Sequence, residues 1–116
     1  MKKIIVAEDD PAIGDILQLI LEGDGYQVEV FVDGDSMMES KLDPPDLFLL
    51  DRQLINSDGL EVCRRLKSRD TTSNIPVIIL SASDHVAEMA RSAGANAFLE
   101  KPFTMQRLRD LVARYV

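Results

Sequence analysis

The chain has 116 residues, of which 46% are hydrophobic and 28% charged, so its size and composition are those of one folded domain and not of a disordered segment. It carries 13 Lys and Arg against 20 Asp and Glu, and the net charge of -7 disfavours direct binding to nucleic acid. No apolar run approaches the roughly 20 residues that cross a bilayer. A single cysteine and the lack of a signal-peptide core lead us to expect a cytoplasmic protein without membrane association.

The first half of the chain alternates predicted strands with predicted helices. Residues 4–7 and 47–50 are continuous apolar runs, which are typical of strands buried on both faces of a parallel sheet. Between them, residues 28–32 place valines at every second position, which favours an edge strand. The first helix is predicted from Pro11, after an Asp10 N-cap, to Gly23 or Gly25. Its expected buried stripe is Ile13, Ile16, Leu17, Ile20 and Leu21.

The second half continues the same alternation. Residues 77–80 and 97–99 are predicted strands, and weaker helical patterns cover residues 35–41, 58–68 and 84–93. The last helix is predicted over residues 105–115, with a stripe formed by Leu108, Leu111, Val112 and Tyr115. Five strands alternating with five helices indicate a doubly wound α/β fold in one domain, residues 1–116.

This architecture predicts where a functional site lies. Parallel crossovers are almost always right-handed, so the strand-to-helix loops leave the sheet at one edge, where ligands bind in folds of this class. The residues at the strand exits are polar: Glu8, Asp9 and Asp10 after the first strand, Asp51 after the third, Ser81 after the fourth, and Lys101 and Pro102 after the fifth.

These side chains are suited to moving a phosphoryl group. Clustered carboxylates repel one another unless a cation lies between them, and oxygen-only ligands suit Mg²⁺ better than Zn²⁺. With that metal and Lys101 neutralising phosphoryl oxygens and Ser81 donating a hydrogen bond, Asp51 can act as the nucleophile. Each residue alone has a simpler explanation, as a helix cap, a loop polar group or a surface lysine. The joint placement favours the functional interpretation.

With these residues in these positions, the sequence resembles the response-regulator receiver domain along essentially its whole length. The motifs that carry the resemblance are residues 4–11, 45–51, 58–59, 76–82, 94–95 and 101–103. The resemblance implies a flavodoxin-like (βα)5 fold with a five-stranded parallel sheet in the order 2-1-3-4-5. It also implies a phosphoacceptor signalling domain, which assists its own phosphorylation and dephosphorylation but is not an enzyme.

The resemblance assigns a role to each site residue. Asp51 is the phosphoacceptor, and Glu8 and Asp9 are the acidic pair of the Mg²⁺ site, with Asp9 as a direct ligand and Glu8 acting through water. The backbone carbonyl of Gln53 completes that site, in which Mn²⁺ could replace Mg²⁺. Ser81 is the switch hydroxyl and Lys101 the invariant-type lysine, followed by a cis peptide bond to Pro102. Phe98 is the switch aromatic.

Partners follow from the same resemblance. The donor is a phosphohistidine on a sensor histidine kinase or a histidine phosphotransfer protein. The expected reader surface is formed by helix four, strand five and helix five, and it would contact a downstream effector or a fused output domain, or pair two phosphorylated copies. Three residues depart from the family pattern: Ile55 replaces a frequent proline, Phe98 lacks a tyrosine hydroxyl, and Arg52 places a positive charge beside the acceptor.

Three other functions share part of this pattern. A haloacid-dehalogenase-type phosphatase also uses an aspartate nucleophile, but it needs a second acid two residues later, where this chain has Gln53. A flavodoxin-like flavin carrier would need a phosphate-cradling loop after the first strand, and none is present. A receiver-like binding module that acts without phosphorylation stays open, because an intact pocket shows capacity and not use.

Some chemistry-bearing residues receive no functional role. The only histidine, His85, is expected at the surface or as a helix cap, and Cys63 is expected in the core. The basic stretch of Arg64, Arg65, Lys67 and Arg69 is interpreted as a solvated helix face.

Overall fold

A five-stranded parallel sheet organises the fold. The structure is a computed structural model that describes residues 1–39 and 43–116. In this part of the chain the strands are β1 (Lys3–Ala7), β2 (Gln27–Phe31), β3 (Leu47–Asp51), β4 (Gln53–Leu54), β5 (Ser57–Asp58), β6 (Val77–Ser81) and β7 (Ala97–Glu100). The main sheet has the order β2-β1-β3-β6-β7, while β4 and β5 form a separate antiparallel pair. Strands four and five of the resemblance correspond to β6 and β7, so the implied order 2-1-3-4-5 is confirmed. The alternation of valines predicted an edge strand, and β2 lies at an edge of the sheet.

Five helices cover the two faces of this sheet within the described residues. They are α1 (Pro11–Gly23), α2 (Gly34–Glu39), α3 (Gly59–Ser68), α4 (Val86–Ser92) and α5 (Met105–Tyr115). Successive strand residues point to opposite faces. Ile4 and Val6 accordingly pack in a core with α1 and α5, whereas Ile5 and Ala7 pack in a second core with α2, α3 and α4. Burial on both faces explains why these strands read as continuous apolar runs.

The first helix begins as predicted, and its buried side matches the predicted stripe except at Ile16. The Asp10 carboxylate accepts a hydrogen bond of 2.9 Å from the Ala12 N–H, which caps the helix. The buried row is Gly14, Leu17 and Leu21, while Ile16 is 56% exposed, so its place in the predicted stripe was wrong. Glycine at position 14 lets the helix lie close to β2, since a Cβ there would be 3.2 Å from the Val30 side chain. This approach turns Ile16 toward solvent.

The interpretation of the basic stretch was also wrong for one residue. The Lys67 ammonium donates hydrogen bonds of 2.8 Å to the Ile75 carbonyl and 2.9 Å to the Asn96 side chain. Asn96 also accepts the Val77 N–H at 3.0 Å. Burial lowers the pKa of Lys67. This lysine therefore ties α3 to the entry of β6 and is not part of a solvated face.

The remaining predicted elements differ mainly at their ends. The helix predicted over residues 84–93 begins at Val86, and His85 lies exposed before it. The predicted end of the second helix, at Lys41, lies outside the described residues. Cys63 is buried as expected. Among the helices described, none combines the length and apolarity required to span a membrane.

Candidate functional site

The predicted site residues meet at the carboxyl edge of the sheet. Asp51 is the last residue of β3, Ser81 is the last of β6, and Glu8 directly follows β1. The parallel register pairs Ala7 with Leu50 and Asp51 with Leu80, so the three strand ends lie side by side. A cleft at this edge is lined by Glu8, Asp9, Asp10, Ile13, Asp51, Arg52, Gln53, Ser81, Ala82, Ser83 and Lys101. Sequence reasoning named most of these residues but missed Ile13, Ala82 and Ser83.

Lys101 connects two of the carboxylates. Its Nζ lies 2.9 Å from Glu8 Oε1 and 2.5 Å from Asp51 Oδ2, and both carboxylates are almost fully buried. The Lys101 N–H donates to the Ser81 carbonyl at 2.8 Å, which continues the β6–β7 pairing and aims the side chain at the cleft. The Lys101–Pro102 peptide bond is cis, as the resemblance implies.

The electrostatics of the cleft are dominated by crowded acids. Burial, together with a hydrogen bond to Asp51, raises the pKa of Glu8 to about 7. Burial alone would lower the pKa of Lys101, but hydrogen bonds and attraction from Asp51 and Glu8 outweigh it and raise that pKa. The Lys101 ammonium is therefore the ion-pair partner of two carboxylates, and the carboxylate of Asp9 lies close to both.

The three acids have the geometry and chemistry of a cation site. Glu8, Asp9 and Asp51 each offer an oxygen, and these oxygens lie within 4.8 Å of one another. Hard divalent ions such as Mg²⁺ prefer oxygen ligands, whereas Zn²⁺ would favour histidine or cysteine. The only histidine and the only cysteine of the chain do not line the cleft. The donor set therefore fits Mg²⁺.

The loop after Asp51 is more ordered than the sequence indicated. The Gln53 N–H donates to Asp51 Oδ1 at 3.0 Å, and β4 and β5 then pair around the turn residues Ile55 and Asn56. Asn56 has a φ of 57°, a left-handed conformation that asparagine tolerates better than most residues. Asn56 is the residue that could have predicted this hairpin from the sequence, because asparagine is frequent at such turn positions.

The two predicted switch residues occupy different places. Ser81 is 7% exposed, and its hydroxyl accepts the Ser83 N–H at 3.2 Å inside the cleft. Phe98 is half-buried on β7, where it pairs with Ile79 and packs against the core shared with α3 and α4. The Phe98 side chain does not line the cleft.

Comparisons with known proteins agree with this arrangement. The model of the response regulator receiver domain family matches residues 4–113. Over 97% of its length the chain is 39% identical to the response regulator MprA of Mycobacterium ulcerans, and over 98% it is 36% identical to the DNA-binding dual master transcriptional regulator RpaA of Synechocystis. In both comparisons it covers 50% of the relative, so the chain spans about half the length of these curated relatives.

A solved structure extends the agreement to three dimensions. The receiver domain of the sensor histidine kinase PA1611 from Pseudomonas aeruginosa, solved with a magnesium ion in its active-site cleft, superposes with a TM-score of 0.89 at 27% identity. The match covers 98% of this chain and 96% of that one. Three findings indicate the same family: the match of the family model over most of the chain, the identities above 30% and the order of the sheet. This chain belongs to the response regulator receiver domain family, the signalling domain of two-component systems.

Proposed function

We propose that the domain accepts a phosphoryl group on Asp51 in a Mg²⁺-dependent reaction. The observation that supports this is the contact of one ammonium, Lys101, with both Asp51 and Glu8 at the edge where Asp9 adds a third carboxylate. A buried carboxylate with a cation on one oxygen and acids around it is arranged for nucleophilic attack on phosphorus and not for solvation.

Asp9, Asp51 and the backbone carbonyl of Gln53 would hold the Mg²⁺ ion, with Glu8 bound through water. When bound, the ion neutralises negative charge on the transferred phosphoryl group. Mn²⁺ has similar ligand preferences and could substitute.

The chain's own residues then account for the transfer. The Asp51 carboxylate attacks the phosphorus of a phosphohistidine, the phosphorus–nitrogen bond breaks, and the imidazole leaves with the bonding electron pair. The Lys101 ammonium neutralises a phosphoryl oxygen, and the Ser81 hydroxyl donates a hydrogen bond to another. Water later hydrolyses the acyl phosphate. By forming its hydrogen bond to the phosphoryl group, Ser81 would move inward, and the Phe98 ring would enter the space that Ser81 leaves.

The partners are proposed at the same level. We infer that residues 1–116 form one receiver domain whose donor is a sensor histidine kinase or a phosphotransfer protein. The surface of α4, β7 and α5 would signal phosphorylation to a downstream effector or a fused output domain, or pair two copies. The name of RpaA describes that relative as DNA-binding, and the acidic net charge of -7 indicates that any such activity here would belong to another part of the protein.

Intact-mass measurement tests the acceptor assignment. Incubation with a small phosphodonor and Mg²⁺ should add one phosphoryl group to the parent protein and none to Asp51→Ala, because the substitution removes the carboxylate that we propose as the nucleophile. A phosphoryl mass on both proteins would place the acceptor elsewhere. A phosphoryl mass on neither would favour a binding module that acts without phosphorylation.

Adding Mg²⁺ should also stabilise the protein against unfolding. A ligand that binds only the folded state stabilises it by about 2.7 kcal/mol at a hundred times its dissociation constant. We therefore expect the thermal midpoint to rise with the logarithm of Mg²⁺ concentration, and chelation to reverse the rise. Differential scanning calorimetry would measure it.

Two neighbouring acids provide the matched pair of variants for this measurement. Asp9→Asn should abolish most of the Mg²⁺ effect, because it removes a ligand. Asp10→Asn should keep the effect, because Asp10 caps α1 and asparagine caps equally well. Equal Mg²⁺ responses in the two variants would contradict the assignment of Asp9.

A further inference from the structure

The loop that carries the Gln53 carbonyl is attached to a second part of the fold. The hairpin of β4 and β5 begins two residues after Asp51 and ends at Asp58, which caps α3 by accepting the Leu60 N–H at 2.9 Å. Its base is closed by a 2.7 Å hydrogen bond from the Gly59 N–H to the Arg52 carbonyl. These contacts fix Arg52 and Asp58 at the base of the hairpin but not Ser57, the first residue of its outer strand.

Ser57, on that outer strand, makes the additional attachment. Its hydroxyl accepts the N–H of Gly34, the first residue of α2, at 3.0 Å. The same hydroxyl donates to the Ile55 carbonyl at 3.2 Å, so both of its hydrogen-bonding functions are used. The first N–H groups of a helix have no hydrogen-bond partner within the helix. The Gly34 N–H instead donates to Ser57, in the hairpin that follows Asp51.

The packing around this hydrogen bond is close. A Cβ at position 34 would lie 2.5 Å from the Val62 side chain and 3.0 Å from the Ser57 hydroxyl, so only glycine permits the approach. Leu54, which pairs with Ser57 across the hairpin, is 8% exposed and packs in the core with α2 and α3. The hairpin thus contacts α2 in two ways, through the hydrogen bond of the Ser57 hydroxyl and through the apolar packing of Leu54.

We infer that Ser57 is a positioning residue for the Mg²⁺ site, acting through the hairpin on the Gln53 carbonyl. The inference rests on the proposed function, in which that carbonyl is a ligand. Gln53 pairs with Asp58, the residue after Ser57, and its N–H is hydrogen-bonded to Asp51. A shift of Ser57 and Asp58 would therefore change the direction of the Gln53 carbonyl.

Calorimetric titration with Mg²⁺ tests the inference. Groups that orient metal ligands typically change metal affinity by about 10–100-fold when they are removed. Because Ser57 acts on one ligand of the set, we expect about a tenfold weaker Mg²⁺ affinity for Ser57→Ala. Ser57→Thr keeps the hydroxyl and should remain within about twofold of the parent. Amide hydrogen exchange of Gln53 and Leu54 should quicken in the alanine variant alone.

Ser36→Ala is the matched control. Ser36 also lies in the first turn of α2, and its hydroxyl donates to Asp33 at 3.0 Å instead of bonding to the hairpin. Its loss should leave the Mg²⁺ affinity unchanged. An equal loss of affinity in Ser36→Ala and Ser57→Ala would overturn the inference, because it would show a general loosening of α2.

The remaining outcomes separate this inference from the proposed function. If the parent binds Mg²⁺, Asp9→Asn does not, and Ser57→Ala binds like the parent, Ser57 has no positioning role and the proposed function stands. If Ser57→Thr loses as much affinity as Ser57→Ala, the hydroxyl is not the cause and the inference is overturned. If the parent itself binds no Mg²⁺, both fail.

Discussion

Replacing Lys101 by methionine should slow the phosphorylation of Asp51 by about 10²–10³-fold, the usual cost of removing one preorganised donor from a developing charge. The Lys101 ammonium is held 2.5 Å from Asp51 and 2.9 Å from Glu8, so its position is fixed before any phosphodonor arrives. Methionine keeps much of the side-chain volume and removes the charge. The phosphoryl group would then lose the cation that Glu8 and Asp51 hold in the cleft.

The rate at which the phosphoryl mass appears, measured with a small phosphodonor and saturating Mg²⁺, checks this prediction. Lys67→Met is the control, since Lys67 is also half-buried and hydrogen-bonded but lies at the opposite edge of the sheet. That variant should lose stability and keep the parent rate. A Lys101→Met rate within threefold of the parent would remove Lys101 from the mechanism.

Mg²⁺ affinity separates lost chemistry from lost folding in the same variant. Without the ammonium, the oxygens of Glu8 and Asp51 lose the cation that competes with Mg²⁺ for them. Lys101→Met should therefore bind Mg²⁺ at least as tightly as the parent while reacting slowly. Weaker binding together with a low rate would indicate a disrupted cleft instead.

The sequence predicted the carboxyl edge well because its signals are local. Four of the five strands of the main sheet, β1, β3, β6 and β7, contain a short apolar run with a polar residue at its end or directly after it. Parallel strands bring all such ends to one edge. Asp51 and Ser81 are in fact the last residues of their strands and not the first residues of the loops. The position of Asp51 beside Glu8 follows from strand order, which the resemblance supplied and periodicity could not.

The features that sequence reasoning missed depend on contacts between distant segments. Lys67 reads as one of several basic residues on α3, and only its approach to Ile75 and Asn96 reveals a structural role. Ile16 fits an apolar stripe by spacing, yet the close packing of Gly14 on β2 turns it outward. A period of 3.6 residues marks the apolar positions of a helix, but the packing of the helix decides which of them is buried.

Gly59→Ala should lower the free energy of unfolding by about 3 kcal/mol, at the upper end of the usual cost of overpacking. A Cβ at position 59 would lie 2.1 Å from the Asp51 carbonyl oxygen and 2.9 Å from the Arg52 Cα. These are backbone atoms of the strand end that carries the proposed acceptor, so no side chain can rotate away to make room. Either the start of α3 or the end of β3 must move.

Chemical denaturation of parent and variant measures the loss, with Gly23→Ala as the control. A Cβ at Gly23, the last residue of α1, would meet no atom within 4 Å, and alanine is the better helix former by roughly 0.5–1 kcal/mol. That control should be neutral or slightly stabilised, and a Gly59→Ala stability equal to the parent's would contradict the close approach. Because the strained contact includes Asp51 itself, the folded fraction of Gly59→Ala should also accept phosphoryl groups more slowly, which joins the stability of α3 to the chemistry of the acceptor.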